Sequence, residues 1–431
     1  MSEGFGAFVR AHGGEGRLVV QPRMGFGDPH RMREGLAATR AADALTVGTI
    51  TLDAHTRVGH LQAVERALRD GSDLNGYPIV SHEESVTRWV LSAADGPGFP
   101  VQVRHGSAAP VDIFRTLTRL GLGASEGGPV SYCLPYGRTP LAESVRNWRE
   151  SCEVFAGLCE RGVEPHLETF GGCMLGQLCP PSQLIAISVL EALFFIRHGV
   201  RSVSVSYAQQ THPGQDREAV AALRRLCGEL LPTDDWHVVV YAYMGLYPVT
   251  EHGAYRLLGQ AAELAVASGA ERLIVKTVAE SRRIPTIEEN VAALEYADRT
   301  AALTGRAPDP GADTQTYREA AALTEAVLNL HPDIGEALLR AFRAGYLDIP
   351  YCLHPDNRGE TRGRIGDDGR LLWERTGALP IGRIAGSHRA RPVTSAGLLE
   401  DLSYMRRRFD EVAVEHRTPL PVPGTQGTGA G

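Results

Sequence analysis

The sequence predicts an α/β protein, a (β/α)8 TIM barrel with a C-terminal helical and irregular extension. Three observations predict it. Short β-branched, apolar runs alternate with longer segments of helical spacing from residue 17 to about residue 300, and eight such units can be counted. The helical segments each carry one apolar face, as helices packed on a parallel sheet require. The eightfold alternation favours closure into a barrel over a doubly wound open sheet, the alternative for the same pattern.

The strand candidates, in order, are "RLVVQ" (17–21), "LTVGTIT" (45–51), "FPVQV" (99–103), "PVSYCL" (129–134), "EPHLETF" (164–170), "SVSVSY" (202–207), "HVVVYAY" (237–243) and "RLIVKT" (272–277). The fifth is the weakest by composition. The clearest helical patterns cover 140–162, 180–199 and 253–269, and each runs up to a glycine, which favours termination. Residues 1–16 read as an N-terminal arm, 17–305 as the barrel and 306–416 as the extension. The Pro/Gly-rich end, 417–431, reads as a disordered tail.

Composition narrows the function classes. Of 431 residues, 43% are apolar and 22% charged, ordinary for a globular chain. A net charge of −7 without a basic stripe argues against a nucleic-acid partner. The longest apolar stretch, Leu184 to Ile196, is interrupted by Glu191 and falls short of the roughly 20 residues of a membrane span. No secretory signal is seen, and seven cysteines without CxxC spacing suggest reduced thiols in the cytoplasm.

A barrel places its active site at the C-terminal ends of its strands. Arg23 follows the first strand candidate, Arg57 the second, and Arg104 with His105 the third. Guanidinium forks bind carboxylates in a fixed orientation, and three such cations at successive strand ends would repel each other without an anion between them. The pattern points to a small dicarboxylate. Glu126, just before the fourth candidate, would stay ionised near arginines and accept from a substrate ammonium; Tyr132 and Tyr136 complete the set, unless they simply pack. Lys276 ends the eighth candidate and could serve as a Schiff-base amine, or Glu280, one helical turn later, could hold it protonated.

The stretch "TLDAHTRVG" (51–59) is close to the D-x-H-x-x-G motif of cobalamin-binding domains. Here Val58 stands three residues after His55 and the glycine follows one later, so the match reads as coincidence. No zinc partner lies at suitable spacing, and no metal site is expected.

The chain resembles the large (epsilon) subunits of glutamate mutase, also called methylaspartate mutase, from about Leu18 to about Ile381. The resemblance is carried by "QPRMG", "TLDAHTR", "SDLNGYP", "VQVRHG", "EGGPVSYCLPY", "FGGCMLGQLCPPS", "YMGLYP", "IVKTVAESRRIPT" and "GYLDIPY" in this order. It implies a (β/α)8 barrel whose adenosylcobalamin is shared with a separate small subunit of sigma type. That subunit owns the D-x-H-x-x-G motif. An assembly of two large and two small chains is implied. The implied reaction interconverts L-glutamate and (2S,3S)-3-methylaspartate through radical fragments that each keep one carboxylate. By the same resemblance Arg23, Arg57, Arg104, His105, Glu126, Tyr132 and Tyr136 contact the substrate. Gly25, Asn75, Pro135, Tyr247, Lys276, Glu280 and Ile284 contact the cofactor, which displaces the Schiff-base reading of Lys276.

The chain departs from the family pattern in places. The family has Phe where Tyr247 stands, Asn where Cys133 stands and His-Gln-Trp where this chain has Tyr241, Ala242 and Tyr243. The loop "SYAQQTH" after the sixth strand diverges, and the arm is shorter by about forty residues. These departures bear on fine specificity. The competing expectations are a related amino dicarboxylate as substrate, a cobalamin-independent lyase or aldolase, and a non-catalytic scaffold for a small cobalamin protein.

Overall fold

The computed structural model describes residues 3–14, 17–135, 137–173, 178–311, 313–386 and 394–415. Eight parallel strands form one sheet: β1 (Val19–Gln21), β2 (Gly48–Thr51), β3 (Val101–Arg104), β4 (Ala124–Gly127), β5 (His166–Thr169), β6 (Ser202–Ala208), β7 (Trp236–Tyr241) and β8 (Arg272–Ile274). Their order is β1-β8-β7-β6-β5-β4-β3-β2. A parallel bridge from Val20 to Thr46, just before β2, joins the two ends of that order and closes the barrel. The Val20 amide donates to the Leu45 carbonyl at 2.9 Å across this seam.

Seven of the eight strand candidates overlap the observed strands. The fourth does not. β4 is Ala124–Gly127, a short polar strand, and the apolar run 129–134 is a turn above it. The reason is local. Gly127 has φ 137°, and a Cβ on Gly128 would lie 2.0 Å from an Oε of Glu191, so the chain leaves the sheet plane here as only glycine allows. The run is apolar because Val130, Tyr132, Cys133 and Leu134 are buried, but they are buried in a turn and not in the sheet. In consequence Glu126 sits inside a strand, not ahead of one.

Helices wrap the barrel. Several begin on a side-chain cap that satisfies an orphan amide: Asp28, Thr250, Thr286, Thr314 and Asp333. The helix Pro181–Arg197 is buried on every side through Phe195. β5 and β6 lie on one side of it, and the helices Gln315–Leu328 and Ile334–Ala344 pack on it too. That enclosure explains the long apolar stretch in the sequence. Among the described residues, no helix is long and apolar enough to cross a membrane.

The segments after residue 306 are tied down. The Gln183 amide donates to the carbonyls of Leu347 and Asp348, at 2.9 Å each. Asp348 in turn accepts from the amides of Gly359, Glu360 and Thr361. β9 (Arg362–Ile365) and β10 (Leu371–Arg375) form an antiparallel pair. The helix Ser395–Glu415 lays Met405 and Phe409 on the helix Glu251–Ala267, and its Asp410 accepts from Val249 and Thr250. The predicted tail, 417–431, lies outside the described residues.

Candidate active site

Two groups of residues gather at the C-terminal end of the barrel, one inside it and one at its rim. The inner group centres on Arg104, the last residue of β3, which is only 3% exposed. Its Nη2 donates to Glu126 Oε2 at 2.7 Å and to the Tyr241 hydroxyl at 3.1 Å. Its Nη1 is buried and has no partner among the described residues. A buried donor left unpaired costs roughly 1–3 kcal/mol, so this nitrogen can take a further acceptor. Neighbouring carboxylates and phenols hold the guanidinium charged, against its burial.

His105 is fully buried beside it. Ser107 N donates to His105 Nδ1 at 3.2 Å, which places the proton of the neutral ring on Nε2. That Nε2 has no partner among the described residues. Burial, then Arg57 and Arg104, push the imidazole pKa down to about 3, so the ring is neutral at physiological pH. His105 is therefore a donor and not a base, stacked on Trp148 with ring centroids 5.8 Å apart.

Glu126 sits 2% exposed on β4. The Tyr132 hydroxyl donates to its Oε1, and the Tyr241 hydroxyl lies 2.9 Å from its Oε2. Its pKa is raised: burial dominates over the lowering by Arg104, and the nearby Glu168 adds to the rise. Arg104 therefore favours the ionised form that the sequence suggests, and burial opposes it. Tyr132 is fixed by the turn 128–134, whose Val130 and Ser131 amides donate to Glu191 Oε1. Tyr136 lies outside the described residues.

Arg57 ends a short helix, Ala54–Arg57, that follows β2. Asp53 caps this helix by accepting from the amides of His55 and Thr56, both at 2.9 Å, and His55 is exposed. The Asp–His pair of "TLDAHTRVG" is thus a helix start. Arg57 is half-buried, its Nε 3.3 Å from the Asp53 carbonyl, and its side chain lies over Gly106 beside His105. No carboxylate lies within 4.0 Å of it among the described residues, whereas Arg23 and Arg104 each have one. Repulsion among the three arginines is therefore relieved in part by Glu126 and Glu280. The protein's own acids thus share the role that the arginine pattern assigns to a ligand.

The rim group is Arg23, Lys276, Glu280 and Tyr247. Glu280 Oε2 lies 3.6 Å from Lys276 Nζ and 3.7 Å from Arg23 Nη1. Lys276 Nζ is 5.2 Å from the centroid of the Tyr247 ring. Burial, with help from Arg23, brings the Lys276 pKa down to about 8 despite Glu280. Glu280 thus does not outweigh desolvation. Gly25 packs where a Cβ would lie 2.1 Å from the Thr51 carbonyl oxygen, so no side chain fits. Asn75 is exposed and accepts from Ala54 N at 2.9 Å, Pro135 is half-buried in the turn above β4, and Ile284 is 54% exposed.

Sequence reading missed three inner residues. Glu168 on β5 pairs with Arg272 on β8, both 0% exposed, and Tyr241 ends β7. Gln21 and Gln102 complete a polar network inside the barrel. Glu168 stands in the weakest strand candidate, where a lone acid carries no periodic signal.

The order of these residues along the barrel has a match among known families. A model of the methylaspartate mutase E chain family covers residues 2–402. The chain belongs to this family. It is thereby a mutase, a class of isomerase. Relatives named glutamate mutase epsilon subunit include one from Halobacterium salinarum, 32% identical over 391 residues, covering 87% of this chain and 81% of that one. Another, from Treponema denticola, is 30% identical over 388 residues, covering 85% and 79%. A third, from Escherichia coli O157:H7, is 29% identical over 386 residues with the same coverage, 85% and 79%.

Proposed function

We propose that this chain is the catalytic subunit of an adenosylcobalamin-dependent mutase that interconverts L-glutamate and (2S,3S)-3-methylaspartate. One observation carries the substrate class. Among the described residues, a buried arginine keeps one guanidinium nitrogen free next to a buried glutamate, so a carboxylate and an ammonium find partners side by side. Arg57 and Arg23 then serve the second carboxylate, His105 Nε2 donates to a substrate oxygen, and Tyr132 and Tyr136 enclose the ligand. Residues 17–305 form the catalytic barrel in this reading, and 306–416 support it from outside.

The rim residues suit a cofactor that lies across the mouth. A lysine–glutamate pair above a tyrosine ring can hold hydroxyl groups of a nucleoside. Gly25 and Pro135 let it approach, and Asn75 and Ile284 meet it from the loops. When bound, adenosylcobalamin supplies the carbon radical that takes hydrogen from the substrate. The chain's own residues bind both carboxylates, so each fragment stays held, and they exclude water. Val58, Leu246, Val249 and Ile284, between 40% and 61% exposed, lie on loops after β2, β7 and β8. They form an apolar rim fit for a small sigma-type subunit carrying the cobalt ligand. A pair of large and a pair of small chains is the assembly we infer, in the cytoplasm.

The test is reconstitution. The chain with a small subunit, adenosylcobalamin and L-glutamate is expected to form methylaspartate, and the chain with cofactor alone is expected to be inactive. Turnover by the lone chain would sink the two-subunit reading. The Lys276 pKa of about 8 is the observation that favours an aldolase instead. Borohydride with a keto dicarboxylate would trap a Schiff base on Lys276 in that case, and no adduct is expected.

Glu280→Gln separates the rim from the inner group. It removes the charge that faces Lys276 and Arg23. Cofactor affinity of the assembled enzyme is expected to fall about tenfold, the loss of one charge-assisted contact. Dicarboxylate binding by the chain should persist. A variant that binds cofactor normally but loses the dicarboxylate would reverse the assignment.

A further inference from the structure

We propose that Tyr241 and Glu168 are positioning residues of this site, acting on a substrate ammonium through Glu126 and on a substrate carboxylate through Arg104. The proposal rests on the amino-dicarboxylate reading above. Its basis is geometric. Glu126 on β4 and Glu168 on β5 are register partners in adjacent parallel strands, so their side chains emerge on the same face of the sheet, inside the barrel. Tyr241 reaches them from the end of β7. Its hydroxyl is 2.9 Å from Glu126 Oε2, hydrogen-bonded to Glu168 Oε1, and 3.1 Å from Arg104 Nη2.

A phenol has one proton and two lone pairs. It accepts from Arg104 and can donate to only one carboxylate at a time. Glu168 is the acceptor held in place by other groups. It is ion-paired with Arg272 and accepts from Gln102 Nε2 at 3.2 Å and Ser204 Oγ at 3.4 Å. When Glu126 is protonated the hydroxyl proton turns to Glu168, and when Glu126 is ionised it turns to Glu126; in either case a lone pair faces Arg104. That engages Nη2 on Glu126 and Tyr241 and leaves Nη1 open. Tyr241 lies in one of the stretches where this chain departs from the family pattern.

The charged and titratable groups facing Glu126 are Arg104 on β3, Tyr132 in the turn above β4, Glu168 on β5 and Tyr241 on β7. Arg272 on β8 faces Glu168, not Glu126. The two positioning residues act on Glu126 with opposite sign. The Glu168 charge disfavours ionisation of Glu126, and the Tyr241 hydroxyl favours it. An ammonium needs Glu126 ionised, so preference for an ammonium-bearing ligand grows as pH rises through the Glu126 transition.

The experiment compares L-glutamate with glutarate, which has the two carboxylates and no ammonium, by calorimetry on the full chain between pH 5 and 9. The ratio of affinities reports the charge of Glu126. Tyr241→Phe is expected to move the midpoint of that ratio upward by about half a pH unit or more, the effect of one lost hydrogen bond. Glu168→Gln is expected to move it downward. The double change Glu168→Gln with Arg272→Gln avoids an unpaired buried cation and should move it downward as well. A merely structural role would weaken both ligands without moving the midpoint. Unmoved midpoints, or shifts of one sign in all variants, overturn the proposal alone. A wild-type chain that binds glutarate but shows no pH-dependent preference for glutamate overturns the substrate reading and this proposal with it.

Discussion

Arg104→Lys is expected to weaken dicarboxylate binding by roughly 10- to 150-fold, the equivalent of losing one charge-assisted hydrogen bond of about 1.5–3 kcal/mol. The charge is kept, so the loss isolates geometry. Arg104 uses Nη2 on Glu126 and Tyr241, and its Nη1 has no partner among the described residues. A lysine has one nitrogen and cannot serve both sides at a fixed angle. It would stay with Glu126, because that acid is buried and would otherwise lack its cation. The ligand carboxylate is then the group left without a donor. Arg57→Lys should cost less, since Arg57 is half-buried and, among the described residues, its side chain bonds to a backbone carbonyl at 3.3 Å and to no carboxylate. Calorimetry with glutarate on both variants checks the ranking. An Arg104→Lys chain with unchanged affinity would remove Arg104 from the site.

The fold was legible because burial imposes periodicity over many residues. The helix Pro181–Arg197 has an apolar run that no loop would carry, and five of the six residues of β7 fall in "HVVVYAY". β4 was illegible for the opposite reason. Its four residues, Ala124 to Gly127, include a serine and a glutamate that face other polar groups. A strand whose inward face is a polar network has no hydrophobic pattern to read. The same network hides Glu168, Tyr241 and Arg272. Each is a single residue at the inward position of a short strand, and only closure of the barrel brings them together. Arg23, Arg57 and Arg104 could be picked out because each follows or ends one of the first three strands. Their division into a rim arginine on Glu280 and a buried one on Glu126 could not, since it depends on depth along the barrel axis.

Glu191 entered the sequence reading only as a charge interrupting an apolar run, yet its replacement is expected to be among the most destabilising in the chain. It is 0% exposed on the helix Pro181–Arg197. Its carboxylate accepts from the amides of Val130, Ser131 and Gly171 at 2.9–3.1 Å and from the Ser131 hydroxyl at 2.9 Å. One side chain thus ties the turn above β4 to the segment after β5. Glu191→Ala leaves three buried amides without an acceptor, each costing roughly 1–3 kcal/mol, so a loss of about 3–5 kcal/mol is expected. That is a large part of the 5–15 kcal/mol typical of a whole fold. Glu191→Gln fits the space but turns an NH2 group toward donors, so it should recover only part of the loss. The pH dependence has a definite sign. Burial, opposed by these hydrogen bonds, raises the carboxyl pKa to about 7 from an ordinary value of 4.5. The folded chain therefore binds the proton more tightly than the unfolded one. Its contribution is fully present below about pH 4.5 and declines as pH rises toward 7. Urea midpoints of the wild type and both variants across that window measure this. The wild type should lose stability relative to Glu191→Gln between these limits. Because the clamp also carries Tyr132 to Glu126, glutamate binding should fall in Glu191→Ala even at temperatures where the chain stays folded. If Glu191→Gln and the wild type unfold at the same midpoint at every pH, the carboxylate is not the clamp that this geometry describes.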